Sequence, residues 1–411
     1  MADFWYRFGY ENVGVLYVGF VDWLRRRMAA DGIDRAFFIA RDGWIIHNVY
    51  SRMVAVESGP PGAYLYGSRR ALNVPAITAL DAKALDFLTS GSSRMTVAQF
   101  VGRLGLSVEE HRAAILDGGF QSVDQPLVPG SDFYLLRRLY QKLSEPILRV
   151  AAEEREAMIA HFRRLGLLDC ARPGLVDLGW HGTLQRSVER MLALAGVEAR
   201  PRGYYLGTFP RARELENGGQ SMVAYLCENG EPERLWRIIR ACVELFEFAF
   251  AAPHGSVVRM QRAAASQSAS DEDVEPVFAP HDAEPEDRRK AERAQEGALA
   301  FVDDWLRGAR APVSPEAAVR PMERVLTRPT RTEARRLGDL RHAEGFGSVF
   351  VRRHIARPPS LAQVLENPRA IFEGFGTSFW REGYKTRLMG TNPTVRRLAD
   401  LAARRLRIRG Y

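Results

Sequence analysis

An α/β fold with a Rossmann-like, mostly parallel sheet and helices on both faces is what this 411-residue sequence predicts. Three observations carry the expectation. Two stretches, 36–44 (Ala-Phe-Phe-Ile-Ala-Arg-Asp-Gly-Trp) and 174–183 (Gly-Leu-Val-Asp-Leu-Gly-Trp-His-Gly-Thr), each read as a buried strand that reaches Asp, turns through Gly and enters a helix. Strand-length apolar runs alternate with amphipathic segments of helical period along the first third of the chain. After a long helical stretch, the strand pattern resumes three more times.

Taken in order, the first helix shows Leu16, Phe20, Trp23 and Leu24 at i, i+4, i+7 and i+8, with Arg25, Arg26 and Arg27 near its C-terminal end. Asp31-Gly32 stops it, and the strand Ala36–Ala40 follows. Trp44 to Met53 reads as a helix, and Ala63–Tyr66 as a strand leading into Gly67-Ser68-Arg69-Arg70. Residues 80–170 read as a helical insertion whose last segment opens at Ser144-Glu145-Pro146 and carries an apolar stripe of Ile147, Val150, Met158, Ile159, Phe162 and Leu165. Strands are then expected at Leu175–Leu178, Gly203–Gly207 and Met222–Leu226, completing an α/β core over 1–262. Ser, Ala, Glu, Asp and Pro dominate 263–287, a composition that cannot repay the entropy of ordering and so predicts an acidic flexible linker. From Arg288 onward the chain reads as mainly helical, beginning with a helix that sets Ala300, Phe301 and Trp305 on one face.

Composition narrows the functional classes. With 46% hydrophobic and 26% charged residues the chain is that of a globular protein, and no apolar run approaches the roughly 18 residues that span a bilayer. The N-terminus lacks the basic and apolar regions of a signal peptide, and Cys170, Cys227 and Cys242 are odd in number without CxxC spacing. Disulfide frameworks and zinc sites are disfavoured, and a cytoplasmic location is expected. The net charge of +8 does not argue for a nucleic-acid partner: only Lys83, Lys142, Lys290 and Lys385 among 58 basic residues are lysines, and the arginines are spread without aromatic interleaving. At the C-terminus, Arg396, Arg397, Arg404, Arg405, Arg407 and Arg409 with Val395, Leu398, Leu401 and Leu406 form a basic amphipathic helix. It is expected to dock on the protein's own core, with peripheral contact to anionic lipid as the alternative.

The candidate chemistry gathers at strand ends. Asp42 can hold Mg²⁺, act as nucleophile or base, or cap the next helix, while Arg41 beside it can pair with phosphate or carboxylate, and Gly43 lets the backbone turn closely. Asp177, Gly179, His181, Gly182, Thr183 and Gln185 lie within nine residues, with glycines for close backbone approach, a hydroxyl, and an imidazole able to move protons near neutral pH. This is neither a GxxxxGK[ST] phosphate loop nor a GxGxxG dinucleotide turn. Ser68, Arg69 and Arg70 follow a strand end, where two adjacent arginines could clamp a phosphate or remain a solvated pair. Glu244 and His254 are further candidates, Glu244 as a buried acid or base, whereas Glu247 reads as the helix-surface member of its pair. Asp42, Asp177, His181 and Glu244 are therefore the expected catalytic set. Arg41, Gly43, Ser68, Arg69, Arg70, Gly179, Gly182, Thr183, Gln185 and His254 are the expected ligand-binding set, with Asp42 and Asp177 holding Mg²⁺ if a metal takes part.

The segments Phe20-Val21-Asp22-Trp23-Leu24, Phe38–Trp44, Tyr66–Leu72, Val176–Gln185 and Ala252–Ser256 occur in an order that resembles the region following the hydrolase domain in large bacterial haloacid-dehalogenase-superfamily hydrolases associated with surface-polysaccharide synthesis. The resemblance covers roughly residues 10–260. It implies an enzyme or enzyme-derived domain whose ligand is a phosphorylated sugar or nucleotide-sugar. That superfamily's DxD is not found here, because Gly43-Trp44 follows Asp42, so the chain is expected to resemble the accessory region standing alone. The competing expectation is a non-catalytic scaffold or partner of polysaccharide-assembly enzymes, possible at a membrane surface through the basic C-terminus.

Overall fold

A computed structural model describes residues 3–79, 95–128, 132–263, 273–308, 310–346, 349–367 and 369–389. Its centre is a five-stranded sheet of β1 (Arg35–Ile39), β2 (Gly62–Leu65), β3 (Pro173–Asp177), β4 (Arg202–Gly207) and β5 (Ser221–Cys227), in the order β2-β1-β3-β4-β5. Every neighbouring pair is parallel. Parallel strands need crossovers, and the crossovers cover both faces, which is why Ala36–Ile39 of β1 and Pro173–Val176 of β3 are apolar and buried without alternation.

Successive side chains divide between two cores. Phe38, Val176, Tyr204 and Leu206 face a cluster that includes Leu16, Phe20 and Leu24 of α1 (Gly14–Ala30) and Ile46, Val49 and Tyr50 of α2 (Gly43–Val54). Phe37, Ile39, Leu65 and Leu175 face the other, where α3 (Arg69–Asn73), α4 (Ser144–Arg164) and α5 (Thr183–Leu194) contribute Leu72, Met158, Phe162, Val188 and Met191. The segment between β2 and β3 has a core of its own built on Phe100, Val101, Leu104, Ile115, Leu139 and Ile147. Within that segment α3 and α4 are joined by a buried two-pronged ion pair, Arg70 Nη1 to Glu154 Oε2 at 2.6 Å and Nη2 to Oε1 at 2.8 Å.

The C-terminal region is not an appendage. Ala294, Ala298 and Val302 of α7 (Pro285–Arg307), and Val319 and Met322 of α8 (Pro315–Thr327), belong to the same apolar cluster as Leu16, Phe20 and Phe38. α6 (Val243–Ala249) adds Leu245 and Phe246 to it. The contact between α7 and the N-terminus is backbone on backbone: a Cβ on Gly297 would lie 1.9 Å from the Tyr6 carbonyl oxygen, and one on Gly9 would lie 1.7 Å from that of Ala294.

Two expectations need correction. Residues 274–278, within the stretch read as a flexible linker, form β7 (Val274–Phe278), paired antiparallel with β6 (Val257–Arg262). Val274 packs with Val257 and Met260 under α4, so the burial of that one side chain and the pairing with β6 outweighed the acidic composition around it. The region read as mainly helical also contains an antiparallel pair, β8 (Arg341–Phe346) and β9 (Val349–His354), whose polar residues hid the strand pattern. Residues 80–94, residues 264–272 of the expected linker, and the basic amphipathic segment 395–409 lie outside the described residues.

Candidate functional site

In a sheet ordered 2-1-3-4-5 the strand order reverses between β1 and β3, and helices leave to opposite faces there, opening a crevice beyond the strand C-termini. The register pairs Phe38 with Val176, which brings Asp177 level with Ile39, three residues before Asp42. Both aspartates thus stand at the reversal point. Around them is a cleft of about 930 Å³ whose walls include Arg41, Asp42, Ser68, Arg69, Asp177, Gly179, His181, Thr183 and Glu244.

The floor is acidic and largely out of water. Asp42 starts α2, yet its side chain makes no capping hydrogen bond, so the helix-cap role is not the one it plays. Burial raises its carboxyl well above the usual 3.8, and the negative charges of Asp177 and Glu247 raise it further, against the pull of Arg41. Asp177 is pushed up to about 7, chiefly by burial; the Leu178 N–H that it accepts at 2.8 Å opposes the shift, and Glu247 adds to it. Glu244 is also raised by burial, with Glu247 contributing and His342 opposing. Its Oε2 accepts from the Cys242 thiol at 3.4 Å. Glu247 accepts from the indole N–H of Trp180 at 3.4 Å and lies 3.9 Å from His342 Nδ1.

The glycines before α5 fit their places for steric reasons. A Cβ on Gly179 would lie 2.4 Å from the Gly207 carbonyl oxygen. Gly182 takes the left-handed conformation (φ +69°) at the N-cap of α5, where a non-glycine residue is strained. Thr183 then opens the helix at the cleft wall. His181 packs edge-on against Phe209 with ring centroids 5.7 Å apart, and burial together with Arg211 lowers its pKa below 6.5, so near pH 7 it is a neutral imidazole.

Several expected ligand residues serve the scaffold. Arg70 borders the cleft, but its guanidinium is committed to Glu154, because a buried cation requires its counter-charge. Only Arg69 of the expected clamp remains at the cleft wall as an exposed residue. Gln185 is fully buried and bridges strands: its amide donates to the Pro201 and Ser221 carbonyls at 3.1 and 3.2 Å and accepts from Tyr205 at 3.0 Å. Gly43 packs beneath the site, with its Cβ position 2.7 Å from the Phe38 carbonyl carbon. His254 bonds Tyr64 at 2.8 Å and packs at a tilt against Phe278, ring centroids 4.5 Å apart, behind the cleft wall. Ser68 both caps α3 and donates to the Val257 carbonyl at 2.6 Å.

Three residues had escaped sequence reasoning. Glu247 lines the cleft instead of facing solvent; its i, i+3 spacing from Glu244 on one helix was the available signal. Asp282 comes from the turn after β7 and pairs with Arg41, which holds Asp282 below 3.8 although burial alone would raise it. Nothing in the local pattern marked it. Arg103, from the insertion, joins Arg69 at the cleft wall; burial and the nearby Arg69 charge lower it to about 10.

As for a metal, no group of three or more His, Cys, Asp or Glu side chains among the described residues is arranged to hold one. Mg²⁺ is commonly held by one or two carboxylates together with waters and substrate phosphate, so Asp42 and Asp177 are the residues that would hold one here.

Fold and site together define a doubly wound α/β protein with an acid-floored cleft at its switch point. No protein-family model matches the chain, and no curated protein is significantly similar to it. No helix among the described residues is long and apolar enough to cross a membrane.

Proposed function

We propose that this chain is an α/β enzyme that binds a phosphorylated sugar or nucleotide-sugar in the switch-point cleft. The observation that carries the reading is the meeting of two kinds of wall in one cavity: the carboxylates of Asp42, Asp177, Glu244 and Glu247 at the floor, and the guanidiniums of Arg69 and Arg103 towards the β2 edge. Carboxylates accept hydroxyl groups in directional hydrogen bonds, and guanidiniums bind phosphate oxygens. A ligand with a polyol at one end and a phosphate at the other matches both. The N-terminus of α5, with Thr183 and His181 beside it, offers further donors for the anionic group.

Asp177 is the residue best suited to move a proton, because a carboxyl raised to about 7 exchanges one at neutral pH with little bias. Its charge in turn raises Asp42. The resemblance to the accessory region of polysaccharide-associated hydrolases supports the same ligand class, since it covers both strand exits.

Isothermal titration and thermal shift with sugar phosphates and nucleotide-sugars, each with and without Mg²⁺, test the proposal. Binding that weakens about tenfold or more in Asp42→Asn and Asp177→Asn is expected. Absence of binding by the wild type, or binding indifferent to both substitutions, overturns it.

A further inference from the structure

We propose that the ligand of this cleft carries a nucleobase, stacked on the exposed ring of Phe278. The inference rests on the sugar-phosphate reading and narrows it to nucleoside-diphosphate sugars.

Phe278 is the last residue of β7, and it remains 38% exposed while lining the cavity. Two neighbours fix its ring. His254 packs against it with centroids 4.5 Å apart, and Tyr66 meets it edge-on at 5.8 Å. His254 is fixed in turn: its Nδ1–H donates to the Gly255 carbonyl at 2.8 Å, and the Tyr64 hydroxyl donates to its Nε2 at 2.8 Å. The exposed part of Phe278 is therefore a flat apolar surface already held in one orientation, and a ligand that stacks on it does not have to order the side chain first.

The ring's place in the cleft selects the part of the ligand it meets. Phe278 pairs with Val257 across β6 and β7, and the Val257 carbonyl accepts from Ser68 Oγ at 2.6 Å. Ser68 directly precedes Arg69, so the ring stands on the β2 side of the cleft, as do the guanidiniums of Arg69 and Arg103. Asp42 and Asp177 follow β1 and β3, one and two strands away, or about 5 and 10 Å across the sheet. The cleft thus offers an aromatic face, guanidiniums and carboxylates. A nucleoside-diphosphate sugar has one part for each: base, diphosphate and polyol.

A further polyol suits the Phe278 wall poorly. Val257, Val258, Ala279 and Pro280 line the cavity with Phe278, and their side chains hold no donor or acceptor. A sugar there would leave hydroxyls unpaired, whereas a base lays its π face on the ring and keeps its polar edge for water or backbone. The volume agrees. About 930 Å³ stands at the upper end of the roughly 300–1,000 Å³ of small-molecule sites, more room than a hexose phosphate takes.

Calorimetric titration of the full chain tests this with uridine and adenosine diphosphates, the same two linked to glucose, and glucose 1-phosphate. The nucleotide-sugars are expected to bind about tenfold tighter or more than glucose 1-phosphate. The free diphosphates should bind as well, because the ring and the guanidiniums act whichever sugar follows. Phe278→Leu keeps an apolar side chain without an aromatic face; it should weaken the nucleotides about tenfold and leave glucose 1-phosphate unchanged. Phe278→Tyr keeps the face and should bind as the wild type does. An equal loss in both variants means that packing, not stacking, is at stake and overturns the inference. Nucleotide binding indifferent to Phe278→Leu, or nucleotides that fail to bind where glucose 1-phosphate does, also overturns it and leaves the sugar-phosphate reading standing. If none of the five compounds binds, that reading fails and this inference falls with it.

Discussion

Arg41 Nη1 lies 2.5 Å from Asp282 Oδ2, joining the exit of the first strand to a turn 241 residues further along the chain. The pair closes one side of the cleft and sets the charge that Asp42 senses, since both partners act on that carboxyl in opposite directions. Asp282→Asn leaves Arg41 in a poorly solvated place without its counter-ion. We expect a loss of about 2–3 kcal/mol in unfolding free energy, read by urea denaturation. An unchanged midpoint would show that the pair contributes nothing net.

The buried Asp177 makes stability depend on pH in a specified direction. Its folded-state pKa of about 7 stands above the ordinary 3.8, so the folded chain holds a proton that the unfolded chain releases in that window. Stability conferred by the neutral acid is present at low pH, declines as pH rises from about 4 to about 7, and is absent above it. Asp177→Asn keeps an oxygen for the Leu178 N–H and removes the titration. We expect it to flatten this part of the pH profile and to stabilise the protein by on the order of 2 kcal/mol at pH 8. A variant less stable than wild type at pH 8 contradicts the assignment.

Arg70 and Glu154 give a test of scaffold against ligand roles. Breaking the pair with Glu154→Gln strands a buried guanidinium and should cost about 3–5 kcal/mol. Replacing both, as Arg70→Met with Glu154→Leu, should recover most of that loss. If the double variant folds and still binds sugar phosphate at near wild-type affinity, Arg70 is no phosphate ligand; a selective loss of binding in a stable double variant returns it to the site.

The helix contact at Gly297 leaves no room for a side chain. Gly297→Ala must push α7 away from the N-terminal segment, and a loss of more than about 2 kcal/mol is expected in spite of alanine's better helix propensity. Differential scanning calorimetry decides it: a raised Tm means that the propensity gain prevails.

Much of this architecture was legible because burial writes directly into sequence. β1 and β3 are short apolar runs ended by acidic residues, and they could only be interior strands with something polar at their exits. The aspartates, the glycine turns and His181 therefore fell where the pattern placed them. What escaped was set by distant partners. Arg70 and Gln185 look like ligand residues until Glu154 and the β4 and β5 carbonyls come beside them. Asp282 sits in an acidic stretch with no local period, and only the pairing of β7 with β6 brings it to the cleft. Glu247 was misplaced for a related reason: an exposed helix face and a cavity wall have the same polarity.

The close approach of Gly297 to Tyr6 bears on how the chain is made. The core on one face of the sheet, to which Phe38 of β1 and Phe20 of α1 belong, is completed by residues near position 300. During synthesis at about 5–20 residues per second, that greasy surface waits at least several seconds for its cover while the first strands are already outside the ribosome. The first 262 residues, though they hold every strand of the central sheet, thus leave one of its cores uncovered until the late helices arrive.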